Sequence, residues 1–79
     1  MKQMTKSEFL HEIDAIIQAN TGTTAIDDQL ASLTGWDSMA IISFIAMADA
    51  KLELTLNIDL LISCKTVGDL ASLCAGKVV

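Results

Sequence analysis

Apolar residues recur at helical spacing in three stretches of this chain, and the spacing breaks down between them. Phe9, Leu10, Ile13, Ile16 and Ile17 fall on one helical face, with Glu8, His11, Asp14, Ala15 and Gln18 on the other. Thr5-Lys6-Ser7-Glu8 precedes them with a hydroxyl three residues before a carboxylate, the form of a capping box. A first amphipathic helix is predicted from there to about Asn20-Thr21-Gly22. From Ser38 to about Glu53 the chain is apolar enough to resemble a buried strand, but its length, its content of alanine and methionine and the cap before it favour a helix. Ile41, Phe44, Ile45, Ala48 and Leu52 make its inner face; Met39, Ser43, Ala46, Met47 and Ala50 lie opposite, with Ile42 and Asp49 at the edge. That outer face carries little charge, and flexible methionines on it suit an adaptable partner surface.

The other segments are shorter or irregular. Residues 21–37 lack periodicity and hold Thr21-Gly22-Thr23-Thr24, Asp27-Asp28 and Thr34-Gly35, so a long loop is expected, anchored by Ile26, Leu30, Leu33 and Trp36. Leu54-Thr55-Leu56 alternates but is too short to pair alone. Asn57 is placed to cap a short helix over Ile58–Ser63, and Thr66-Val67-Gly68-Asp69 opens a last helix in which Val67, Leu70, Ala71 and Cys74 share a face before Gly76 ends it. The fold expected is all-α: a small four-helix bundle of three main helices and one short one, forming a single domain over residues 1–79.

Composition narrows the function classes. A net charge of −5, from ten acids against five basic residues, disfavours nucleic acid as a partner. The N-terminal lead from Met1 turns acidic before any apolar run of signal-peptide length, and Ala40 to Ala48 is too short to span a bilayer, so a cytoplasmic chain without membrane insertion is expected. Cys64 and Cys74 lie ten apart with no neighbouring histidine, a spacing unlike a zinc site, and they read as small core hydrophobes. His11 sits on the polar side of its helix and reads as solvated; Asp27-Asp28 reads as a turn rather than a metal site.

One stretch points to chemistry. In Leu33-Thr34-Gly35-Trp36-Asp37-Ser38-Met39 a turn-forming segment gives way at Asp-Ser to a helix, which puts the Ser38 hydroxyl at a helix start where a phosphate group is favoured. Asp and Ser are also ordinary N-caps, so the pair alone would be structural. A serine-nucleophile enzyme is disfavoured because no G-x-S-x-G elbow surrounds Ser38 and the one histidine lies on another helix.

Gly35-Trp36-Asp37-Ser38-Met39 resembles the attachment motif of the acyl and peptidyl carrier proteins, and Lys65-Thr66-Val67-Gly68-Asp69-Leu70 is similar to that family's last-helix signature. The resemblance covers nearly the whole chain. It implies a non-catalytic, monomeric carrier with a 4′-phosphopantetheine arm from coenzyme A on Ser38, supported by Asp37, and acyl cargo held as a thioester. Implied partners are a phosphopantetheinyl transferase, an acyl- or aminoacyl-loading enzyme, and downstream synthases, transferases or thioesterases. Carried over by position, partner contacts fall on Met39, Ile42, Ala46 and Met47. The second helix departs from the acidic one of fatty-acid-synthesis members, having Ala40, Ser43, Ala50 and Lys51 where acids often stand, which points to a dedicated pathway such as polyketide or nonribosomal peptide synthesis. Leu60 and Ile62 stand where relatives are commonly charged, and either extend the partner surface or cover an apolar cavity. The alternatives are an aminoacyl or peptidyl carrier, or an unmodified docking module of carrier fold.

Overall fold

The structure, a computed structural model, describes residues 3–20, 22–74 and 76–79. Met1, Lys2 and Thr21, which the sequence assigns to the N-terminal lead and to the region ending the first helix, lie outside the described residues. Four α-helices follow one another: α1 (Lys6–Ile16), α2 (Ser38–Leu52), α3 (Ile58–Ile62) and α4 (Val67–Leu73), with a 3₁₀ turn at Leu30–Ser32 inside the long connection from α1 to α2. This is the expected small helical bundle. Among the described residues, extended pairing is confined to two isolated bridges, Met4 with Val78 and Gln29 with Thr66.

The caps read from the sequence are present. Thr5 Oγ1 accepts from the Glu8 amide while Glu8 Oε1 accepts from the Thr5 amide, so both ends of the capping box close. Asn57 caps α3 by accepting from the Leu60 amide, and Thr66 and Asp69 form a second box at α4. Phe9 and Ile13 from α1, Phe44, Ala48 and Leu52 from α2, Leu61 from α3, and Val67 and Leu70 from α4 are all buried. Phe9 meets Phe44 edge to face at 5.9 Å, which fixes α1 against α2 at the centre of the core.

α1 stops earlier than its apolar pattern suggests. The Ala19 amide donates to the Asp14 carbonyl at 2.8 Å and the Gln18 amide to the Ala15 carbonyl at 3.2 Å, a Schellman turn in which Gln18 takes the left-handed conformation (φ 60°). Asp14, expected on the solvated face, is instead 2% exposed. Its carboxylate accepts from the Gly22 and Thr24 amides, both at 2.9 Å, and thereby folds the start of the long loop back onto α1. Burial pushes the Asp14 carboxyl up, but hydrogen bonding from Thr24 and the Gly22 amide outweighs it and holds the group below the ordinary carboxylate range. Thr24 Oγ1 itself has no partner at hydrogen-bond distance, so beyond its amide it acts on Asp14 only as a nearby dipole.

Met47 is a second correction. It is only 9% exposed and belongs to the core, because it lies three residues after Phe44 and seven after Ala40, on the stripe of α2 that turns inward. The loop anchors behave as their hydrophobicity predicts: Leu30 is buried, and Ile26, Leu33 and Trp36 pack partly buried against the core. Backbone bonds reinforce them, from the Leu30 amide to the Lys65 carbonyl, from Val67 to Asp28 and from Gly68 to Ile26.

Candidate functional site

Three devices place the segment before α2. Gly35 has φ +95°, and a Cβ built on it would lie 2.7 Å from the Ile17 carbonyl oxygen, so only glycine lets the chain pass this close to the end of α1. Trp36, half-buried, packs edge-on against Phe44 with ring centroids 6.2 Å apart. Asp37 then takes an extended conformation as the N-cap, and its Oδ1 accepts from the Ala40 amide at 3.0 Å.

Ser38 therefore becomes the first residue of α2, at the rim of the bundle and exposed. Its hydroxyl makes no hydrogen bond with another described residue. Asp37 takes only the third amide of the helix; the first two, of Ser38 and Met39, find no acceptor among the described residues. Uncommitted amides at the positive end of a helix dipole favour an anion there. Beside this end lies a groove of about 280 Å³ lined by Ile16, Ile17, Gln18, Gly35, Asp37, Met39, Ala40 and Ser43.

The residues marked for partner contact separate into two groups. Met39 is 66% and Ile42 55% exposed, Ala46 is exposed, and on α3 Leu60 and Ile62 are exposed on either side of the buried Leu61. Leu60 and Ile62 are thus surface residues rather than a cavity lining. Met47 drops out of this set because it is in the core. Ile58, 45% exposed, adds to the apolar surface of α3; it was read from the sequence only as the first residue of a short helix, and no local pattern marks its exposure.

The neighbouring charge is sparse. Lys51 on α2 is paired with Glu12 of α1, its Nζ 2.6 Å from Oε1, and Ala40 is 3% exposed, so a charge at that position would be buried. His11 is exposed on α1. Asp28 Oδ2 accepts from the Ala25 amide, so the acidic pair serves a turn. Both cysteines are free. Burial pushes the Cys74 thiol up to about 11 and also raises that of the half-buried Cys64, which leaves both protonated at neutral pH. Among the described residues no group of three or more His, Cys, Asp or Glu could hold a metal ion, and no helix is long and apolar enough to cross a membrane.

A family model described as the phosphopantetheine attachment site matches residues 11–74, which includes α2, α3, most of α1 and all of α4. No curated protein and no solved structure matches the chain. Because the matched span covers most of the 79 residues and contains the exposed serine at the start of α2, the chain belongs to the phosphopantetheine-binding carrier proteins, whose domain is the site of covalent 4′-phosphopantetheine attachment.

Proposed function

We propose that Ser38 is the residue that takes the arm, that Asp37 supports it, and that residues 1–79 act as one non-catalytic carrier domain for acyl groups in a dedicated biosynthetic pathway. One observation carries this reading: within the family match, Ser38 offers an exposed, unpartnered hydroxyl at the start of a long helix whose first two backbone amides are uncommitted. Those groups fit a phosphodiester, because the hydroxyl is free to be esterified and the amides can donate to the charged oxygens. When bound, the arm supplies a terminal thiol for acyl cargo.

The rest of the site works by placement. Gly35 and Trp36 hold the turn on the core, and Asp37 caps α2 without occupying its first two amides. Met39, Ile42 and Ala46, with Leu60 and Ile62 of α3, are the apolar surface offered to a phosphopantetheinyl transferase, to a loading enzyme and to downstream synthase, transferase or thioesterase partners. The pathway reading rests on the same surface. Ser43 and Ala50 are exposed and uncharged and Lys51 is held by Glu12, so recognition through α2 depends on apolar contact and only weakly on long-range steering. This favours specialised acyl chemistry of the polyketide or nonribosomal peptide kind, in the cytoplasm.

The test is the intact mass of the chain before and after incubation with coenzyme A, magnesium and a broad-specificity phosphopantetheinyl transferase. Wild type is expected to gain one arm and Ser38→Ala none. An unchanged mass for folded wild type, with another carrier modified in the same tube, would leave an unmodified docking module as the better reading.

A further inference from the structure

The fold treats its methionines very differently. Met4 and Met47 are 6% and 9% exposed and belong to the core, whereas Met39 is 66% exposed and lies outside it. Among the described residues, Met39 therefore carries the one methionine sulfur that a dissolved reagent reaches without the bundle opening. The thiols are guarded. Cys74 is buried and Cys64 half-buried, and burial keeps both protonated, so little of the reactive thiolate is present.

Place matters as much as exposure. Met39 directly follows Ser38 at the start of α2, and Ile42 and Ala46, three and seven residues on, continue its stripe. A helix with its side chains is about 10–12 Å across, so the Met39 side chain stands within roughly that distance of the Ser38 hydroxyl. An enzyme seated on Ser38 with an ordinary footprint of about 800 Å², roughly 30 Å wide, covers it.

Apolar and flexible, the thioether suits such a contact. As the sulfoxide it presents a strong acceptor oxygen, and an apolar partner surface has no donor for it, so docking leaves a polar group dry and unpaired. The bundle itself loses no packing, because Met39 lies outside the core.

We propose that Met39 is an oxidation-sensitive contact for the enzyme that adds the arm: hydrogen peroxide converts it to methionine sulfoxide and so slows modification of Ser38 by weakening docking. This rests on Ser38 as the attachment residue and on Met39 as a partner contact. In the step, a sulfur lone pair attacks one peroxide oxygen, the O–O bond breaks and an S–O bond forms. The proton of the transferred hydroxyl passes to the departing hydroxide, giving sulfoxide and water. Sulfur is oxidised by two electrons and the peroxide reduced by two.

For the experiment, arm-free chain is treated with limiting hydrogen peroxide, freed of it, checked for fold by circular dichroism and mapped by peptide mass, with Met1 scored apart. One added oxygen is expected on Met39 well before Met4 or Met47. Transfer of the arm from coenzyme A is then followed by intact mass over a range of chain concentrations. The oxidised chain is expected to show an apparent KM raised about tenfold with kcat near that of untreated chain, as loss of one apolar side chain's contact implies. Methionine sulfoxide reductases A and B together should restore it. Met39→Leu has no sulfur to oxidise there, and its KM, whatever its value, should be the same before and after peroxide. Oxygen appearing first on Met4 or Met47 overturns the proposal. So does an unchanged KM after oxidation of Met39, or an equal rise in treated Met39→Leu, which would place the effect on another residue. Untreated wild type that gains no arm fails differently: it overturns the attachment reading, and the proposal with it.

Discussion

α4 and α2 both begin at a short polar cap, yet one start is closed and the other open. At α4, Thr66 Oγ1 accepts from the Asp69 amide at 3.1 Å, and Asp69 Oδ2 reaches back to the amides of Lys65 and Thr66 at 2.9 and 3.1 Å. Those backbone bonds hold the Asp69 carboxyl below its ordinary range. At α2 the Asp37 cap is not reciprocated, since the residue three positions on is Ala40, which faces the core. A carboxylate there would face apolar packing. At α4 the first two helix amides, of Val67 and Gly68, are taken by the Asp28 and Ile26 carbonyls of the long loop, whereas no segment covers the start of α2 and the amides of Ser38 and Met39 stay uncommitted.

The most disruptive way to test this contrast is to write the missing carboxylate into α2. Ala40→Glu is expected to destabilise the fold by about 4 kcal/mol in urea unfolding, because the new charge enters the core beside Phe44 instead of reaching the Asp37 amide. A stability near wild type would show that α2 can close its own box and that Ala40 is not what keeps it open.

Placement of the open start is the next target. Gly35→Ala combines a left-handed backbone with a Cβ 2.7 Å from the Ile17 carbonyl oxygen, and is expected to cost about 3 kcal/mol and to slow arm addition to Ser38. Unchanged values for both would mean that Ser38 does not depend on the contact with α1.

Asp14→Asn loosens the loop further upstream and should lower stability by about 2 kcal/mol at neutral pH, as expected for hydrogen bonds to a charged group. Because the folded carboxyl titrates below its unfolded value of 3.8, its contribution is full above that pH and is lost as pH falls through the folded value. Unfolding curves for the two proteins should accordingly converge below about pH 4. A gap that stays constant with pH would assign the effect to packing.

The smallest difference compares the caps directly. Asp37→Ala should cost about 1 kcal/mol, and Thr66→Ala somewhat more because it breaks a reciprocated pair. Thermal unfolding of the two variants side by side ranks them, and the reverse order would contradict the open-and-closed distinction.

Much of this was readable along the chain. Thr5 with Glu8, Asn57, and Thr66 with Asp69 act over three residues, so their bonds follow from local order, and the exposed serine behind Asp37 could be located the same way. The positions that escaped are those at the edges of helical faces. Asp14 looked solvated until the loop folded over it, and Met47 looked exposed although it continues the stripe of Ala40 and Phe44. The pairing of the two chain ends, with the Met4 amide on the Lys77 carbonyl and the Val79 amide on that of Met4, joins residues more than seventy positions apart and has no local signature.

Local order therefore settled where the helices begin, which residue offers a hydroxyl, and that the fold is a small helical bundle, because capping and periodicity act between neighbours. Tertiary packing decided which groups remain available. Whether a side chain at the border of a face, such as Asp14 or Met47, is buried depends on what other elements lie across it. The spacing of residues along one helix does not contain that information.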